Sequence, residues 1–77
     1  MDVVEILDAL AEQGVVAILK ADGERQHDRW TFVASGKVLG DDFVRTDAAS
    51  AAACLKNVVP RLQALGLTVP TGGSPRP

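Results

Sequence analysis

The sequence is poor in the side chains that carry most protein chemistry and fill most large cores. It has no tyrosine, one tryptophan, two phenylalanines, one histidine and one cysteine. The lone cysteine, Cys54, excludes an internal disulfide and any metal site built on a cysteine cluster. Set in an alanine-rich segment, it reads as a small buried filler. No apolar run approaches the ~20 residues that a membrane-spanning helix needs. The opening MDVVEIL begins with an acid and lacks the basic stretch of a secretory signal. A soluble, cytoplasmic chain without membrane association is therefore expected. Positive charge is also short: the net charge is −2, with seven acids against four bases in residues 1–38 and three against four in residues 39–77. Chains that wrap nucleic acid carry a basic excess, so nucleic acid is not the expected partner.

Catalytic machinery is equally scarce. His27 lies in a polar stretch between Gln26 and Asp28, where neither a pocket nor an orienting partner is expected. Ser35 and Ser50 have no evident base, and Asp41-Asp42 reads as a solvated turn. The stretch SGKVLG, residues 35–40, holds a lysine but does not join a strand to a helix as a phosphate-binding loop must. No enzyme activity, cofactor or metal is expected.

What is present is a short α+β pattern. Asp2 and Glu5 stand at capping-box spacing, with Met1 and Ile6 placed to form a staple, and Val3, Ile6, Leu7 and Leu10 make one apolar helix face over residues 2–13. Gly14 suits a left-handed helix end. GVVAILKA (14–21) reads as a strand, DGERQHDR (22–29) as a hairpin loop, RWTFVAS (29–35) as a second strand, and GKVLGDD (36–42) as a turn. FVRT (43–46) is a third, shorter strand. Thr46 or Asp47 is the expected cap of a last helix over 48–65, with Ala51, Leu55, Val58, Leu62 and Leu65 as its stripe, widened by Ala52 and Val59. Pro60 is expected to interrupt and kink that helix, and Gly66 repeats the cap seen at Gly14. One domain over 1–69 with a tail or linker over 70–77 follows. The expected architecture is an antiparallel sheet of two or three strands with both helices on one face, α-β-β-(β)-α.

The first strand sets the functional question, because Val15 to Leu19 are all apolar and do not alternate with polar residues. If Val15, Ala17, Leu19, Trp30 and Phe32 face the helices, then Val16, Ile18, Thr31 and Val33 face outward. Small domains bury only about 60–65% of their unfolded surface, and so thin a core invites further association. The expected cover is another protein surface, most simply a second copy, with Val16, Ile18, Thr31 and Val33 in the interface. Trp30 becomes the anchor if the faces are reversed. The alternatives are that LTVP (67–70) folds back over this face, or that the exposure is tolerated.

Two resemblances add to this. Gly23 and His27 in a loop, Phe32 in a strand, GKVLG at 36–40 and an alanine-rich last helix make residues 23–55 resemble a double-stranded-RNA-binding domain. That resemblance implies the α-β-β-β-α fold. The family's lysine cluster at the start of the last helix is replaced here by Asp47, Ala48 and Ala51. Duplex-RNA contact, the second functional reading, would fall to Arg25, His27, Arg29, Lys37 and Lys56. Residues 1–15, MDVVEILDALAEQGV, followed by a hairpin, are similar to the N-terminal docking domains of nonribosomal peptide synthetase and polyketide assembly lines. That similarity implies dimerisation and a partner peptide added at the edge of RWTFVAS or FVRT.

Overall fold

A computed structural model describes residues 2–70 of the chain. The element order is α1 (Val3–Glu12), β1 (Val16–Ala21), β2 (Trp30–Ser35), a 3-10 turn (Lys37–Leu39), β3 (Val44–Ala48) and α2 (Ala51–Ala64). The chain is thus an α+β fold of order α-β-β-β-α. The strands form an antiparallel meander in the order β1-β2-β3. Ile18 stands opposite Val33, and Val33 opposite Arg45, which fixes which side chains share a face.

Both helices start and stop on local chemistry. The Asp2 carboxylate accepts from the Glu5 N–H at 3.2 Å, and the Ser50 hydroxyl accepts from the Ala53 N–H at 3.0 Å. At the C-terminal ends Gly14 (φ +86°) and Gly66 (φ +90°) take the left-handed conformation. The Val15 N–H then donates to the Leu10 carbonyl and the Leu67 N–H to the Leu62 carbonyl, closing a Schellman motif on each helix. The Met1 half of the expected staple and the tail over 71–77 lie outside the described residues.

The core is a single cluster between the sheet and the helices. Ile6 and Leu10 from α1, Phe32 and Ala34 from β2, and Cys54, Leu55, Val58 and Leu62 from α2 are fully buried. Ala17, Leu19 and Trp30 pack against them from the same side of the sheet. The strands therefore face as the alternation of side chains predicts: Val15, Phe32 and their neighbours turn toward the helices, while Val16 and Ile18 turn away.

Several expectations need correction. β3 runs through Ala48 rather than ending at Thr46, because Thr46, Asp47 and Ala48 pair with Phe32, Thr31 and Trp30. Ladder pairing outweighs the helix propensity of the alanine, so neither Thr46 nor Asp47 caps the last helix and Ser50 does. Pro60 does not interrupt α2: it sits on the exposed side of a helix that continues to Ala64. Leu65 is exposed rather than part of the buried stripe, and Ala52 faces solvent. Segment 67–70 does not cover the outer sheet face, since Leu67 and Val69 are buried in the helix-side core.

Candidate functional site

The side of the sheet that carries no helix is divided into two halves. Ladder register places Val16 beside Ser35, Ile18 beside Val33 and Arg45, and Lys20 beside Thr31 and Asp47. One half is apolar: Val16 and Ile18 are 55% and 54% exposed, and Val33 is half-buried next to Ile18. The other half is charged and bonded within itself.

The charged half is organised by Arg25, which reaches out of the eight-residue loop between Ala21 and Trp30. Its Nη1 lies 3.1 Å from Asp47 Oδ1, and its Nη2 donates to the Thr31 hydroxyl. That hydroxyl donates in turn to the same Asp47 oxygen. Arg45 approaches Asp47 at 3.5 Å from the neighbouring position on β3. Asp22 stands 3.3 Å from Arg25 Nε and 4.0 Å from Lys20. Hydrogen bonding to the charged form lowers a carboxyl pKa, and Asp47 is brought down to about 2, first by the Thr31 hydroxyl and then by Arg25. Asp22 is lowered as well, chiefly by the Glu24 backbone N–H. Thr31 is consequently only 6% exposed, so it lies beneath the Arg25 guanidinium and not on the accessible patch.

Trp30 belongs to the opposite face. It is half-buried against the helix-side core, and its carbonyl accepts from the Cys54 thiol at 3.3 Å. The faces are not reversed, and Trp30 is removed from the outward set. Burial pushes the Cys54 thiol pKa up, as befits an unreactive filler. The accessible apolar patch is therefore Val16, Ile18 and Val33.

The sheet has two edges, since β2 is paired on both sides. RWTFVAS therefore offers no edge to a partner, and the available edges are β1 and β3. The edge of β3 is partly occupied: Arg61 of α2 donates through Nη1 to the Arg45 carbonyl at 3.2 Å. Beside it lies a shallow groove of about 250 Å³, lined by Asp42, Phe43, Val44, Arg61, Ala64 and Leu65. That lining holds no histidine, serine or cysteine. The Asp22 N–H donates to the Arg29 carbonyl at 2.7 Å, so by strict alternation Lys20, Ile18 and Val16 also face β2 with their backbone groups. The N–H and C=O groups of Ala17, Leu19 and Ala21 consequently point out from the free edge of β1.

The residues expected to contact RNA are not gathered. Arg25, His27 and Arg29 share the loop between β1 and β2, with His27 and Arg29 exposed and Arg25 engaged by two carboxylates. Lys37 lies in the connection at the other end of β2, and Lys56 is more than one turn into α2. Among the described residues, no three of His, Cys, Asp and Glu converge as a metal site would require, and no helix is long and apolar enough to cross a membrane.

Comparison with protein-family models, with curated proteins and with solved structures finds no match.

Proposed function

We propose that this chain is a non-catalytic protein–protein interaction module that associates with a second copy of itself through the β1 side of its sheet. One observation carries the reading: Val16 and Ile18, both more than half exposed, stand contiguous with Val33 on a face that no segment among the described residues covers. Fully burying an aliphatic side chain of this size contributes about 1.5–3 kcal/mol. Pairing along β1 brings such burial to Ile18 and, in part, Val16 on the edge strand, alongside the backbone hydrogen bonds it forms.

The charged half of the same face supports the reading by what it leaves free. Asp22 and Asp47 engage Lys20, Arg25 and Arg45 within the chain. An RNA phosphate would have to displace carboxylates from Arg25, and the opening turn of α2 carries alanines at Ala51, Ala52 and Ala53. Protein contact is therefore the better match to this surface than duplex RNA.

Light scattering coupled to size exclusion tests the proposal. A mass of twice the 8.1 kDa chain at micromolar concentration is expected. A monomer persisting at several hundred micromolar would overturn it.

A further inference from the structure

We infer that the two copies join edge to edge, β1 against β1, into one continuous six-stranded antiparallel sheet with the two α1 helices side by side across the two-fold axis. This rests on the self-association proposed above and names its geometry.

The first ground is the state of the two sheet edges. Exposed edges are normally guarded by charge, proline, a bulge or a covering side chain. β3 has such a guard in the Arg61 guanidinium on the Arg45 carbonyl, and it also carries Arg45 and Asp47. β1, Val16–Ala21, has no proline, and its single charge is Lys20 near one end. The backbone groups of Ala17, Leu19 and Ala21 on that edge are a ready template for another strand.

The second ground lies on α1 and is independent of the sheet. Ile6 and Leu10 form its buried line, and Ala9 and Gln13 form the flank tied to the segment after α2, where Gln13 is hydrogen-bonded to Thr68. On the opposite flank stand Val4, Leu7 and Ala11, spaced three and four residues apart as a helical stripe must be. Val4 is 65% exposed, Ala11 is exposed and Leu7 is half-buried. α1 packs on β1 while α2 packs on β2 and β3, so this second stripe lies on the side of the free β1 edge. Packing against the core accounts for the inner side of Leu7, but not for Val4 and Ala11. An edge-paired copy does, because a two-fold normal to the sheet sets α1 antiparallel to its counterpart with these stripes facing.

Register follows from chemistry. A two-fold at Ile18 places Ile18 opposite Ile18 of the second copy and Ala17 opposite its Leu19. The outward-pointing backbone groups of 17 and 19 then exchange hydrogen bonds. It also keeps the two Lys20 side chains from standing opposite each other. A stable interface buries roughly 800 Å² per partner, more than a six-residue strand edge supplies by itself, and the α1 stripe adds apolar area beside that edge. A face-to-face stack of the outer sheet surfaces would instead cover Val16, Ile18 and Val33, but it would bury the Lys20–Asp22–Arg25–Asp47–Arg45 network between the copies and leave the β1 edge unpaired and Val4 and Ala11 uncovered.

Cysteine cross-linking of the full chain separates these arrangements, because native Cys54 is fully buried. Ile18→Cys, at a directly opposed non-hydrogen-bonded pair, is expected to give a covalent dimer under mild oxidation. Val33→Cys is not, since three strand spacings put the two copies of that residue about 14 Å apart. Val4→Glu with Ala11→Glu, both at exposed positions, is expected to weaken self-association at least tenfold while the circular dichroism of the fold persists. If Val33→Cys cross-links as readily as Ile18→Cys, or the paired glutamates leave association unchanged, the edge arrangement is overturned while self-association stands. A monomeric wild type overturns both.

Discussion

The side-chain amide of Gln13 holds both backbone groups of Thr68: Nε2 donates to the Thr68 carbonyl at 2.7 Å, and Oε1 accepts from the Thr68 N–H at 2.8 Å. The same Nε2 also donates to the Ala9 carbonyl at 2.9 Å. This clamp keeps the segment after α2 extended, so that Leu67 and Val69 on either side of Thr68 enter the core. It seals the helix-side layer and keeps that segment off the outer sheet face.

Replacing Gln13 by Ala removes the clamp without altering the helix end at Gly14. The expected loss is about 1–2 kcal/mol, as two backbone groups lose their partner and two apolar side chains loosen. Gln13→Glu keeps an acceptor for the Thr68 N–H but sets a carboxylate against the Thr68 and Ala9 carbonyls, so it should be no milder. Urea unfolding followed by circular dichroism reads both variants, and unchanged midpoints would show that the clamp holds nothing.

The Thr31–Arg25–Asp47 network makes stability depend on acid pH. The Asp47 carboxyl is held at about 2 in the folded chain, below its ordinary 3.8. A depressed folded-state pKa contributes stability that is present above the ordinary value and lost as pH falls toward 2. Thr31→Val removes the leading cause of the depression, so the Asp47 titration should move upward toward 3.8. Carboxyl-detected NMR titration of wild type and Thr31→Val gives the result directly. Coincident Asp47 curves would contradict the network.

Gly36 and Gly23 should respond in opposite ways to a methyl group. Gly36 has φ +131°, and a Cβ there would lie 3.0 Å from the Gly14 carbonyl oxygen, where β2 passes the turn between α1 and β1. Gly36→Ala should cost roughly 1–3 kcal/mol through backbone strain and that contact. Gly23 has open space around it and no positive φ, so Gly23→Ala should be neutral or slightly stabilising. Thermal melts of the two variants provide the comparison.

Ile18→Lys should abolish self-association and leave the fold intact, since the side chain is 54% exposed in the single chain and replaces no core contact. Sedimentation velocity with a parallel circular dichroism spectrum reads both properties. A variant that unfolds would place Ile18 in the core, and one that still dimerises would move the interface elsewhere.

Features that depend on neighbours along the chain were legible before the structure. The glycine ends of both helices, the Ile6–Leu10 line and the outward direction of Val16 and Ile18 all follow from spacing within about seven residues. Features set by pairing across the chain were not. β3 reaches Ala48 only because Trp30 and Thr31 lie alongside it, and Ala48 followed by Ala49 otherwise reads as the start of a helix. Thr31 looked like an accessible surface residue because the alternation is silent about Arg25 folding over it. Trp30, by contrast, followed the alternation: the reading that turned it toward the helices holds, and only the reversed one placed it outside. Leu7 was read as part of the one apolar face of α1, and Val4 and Ala11 beside it drew no reading, since one such face is all that a lone amphipathic helix requires.

Amide hydrogen exchange across a concentration series tests the central claim most directly. At concentrations where the chain is paired, the Ala17 and Leu19 amides, which point away from β2, should become protected, and that protection should fade on dilution. If both amides exchange as fast at several hundred micromolar as at one micromolar, no strand lies against β1 and the account is wrong.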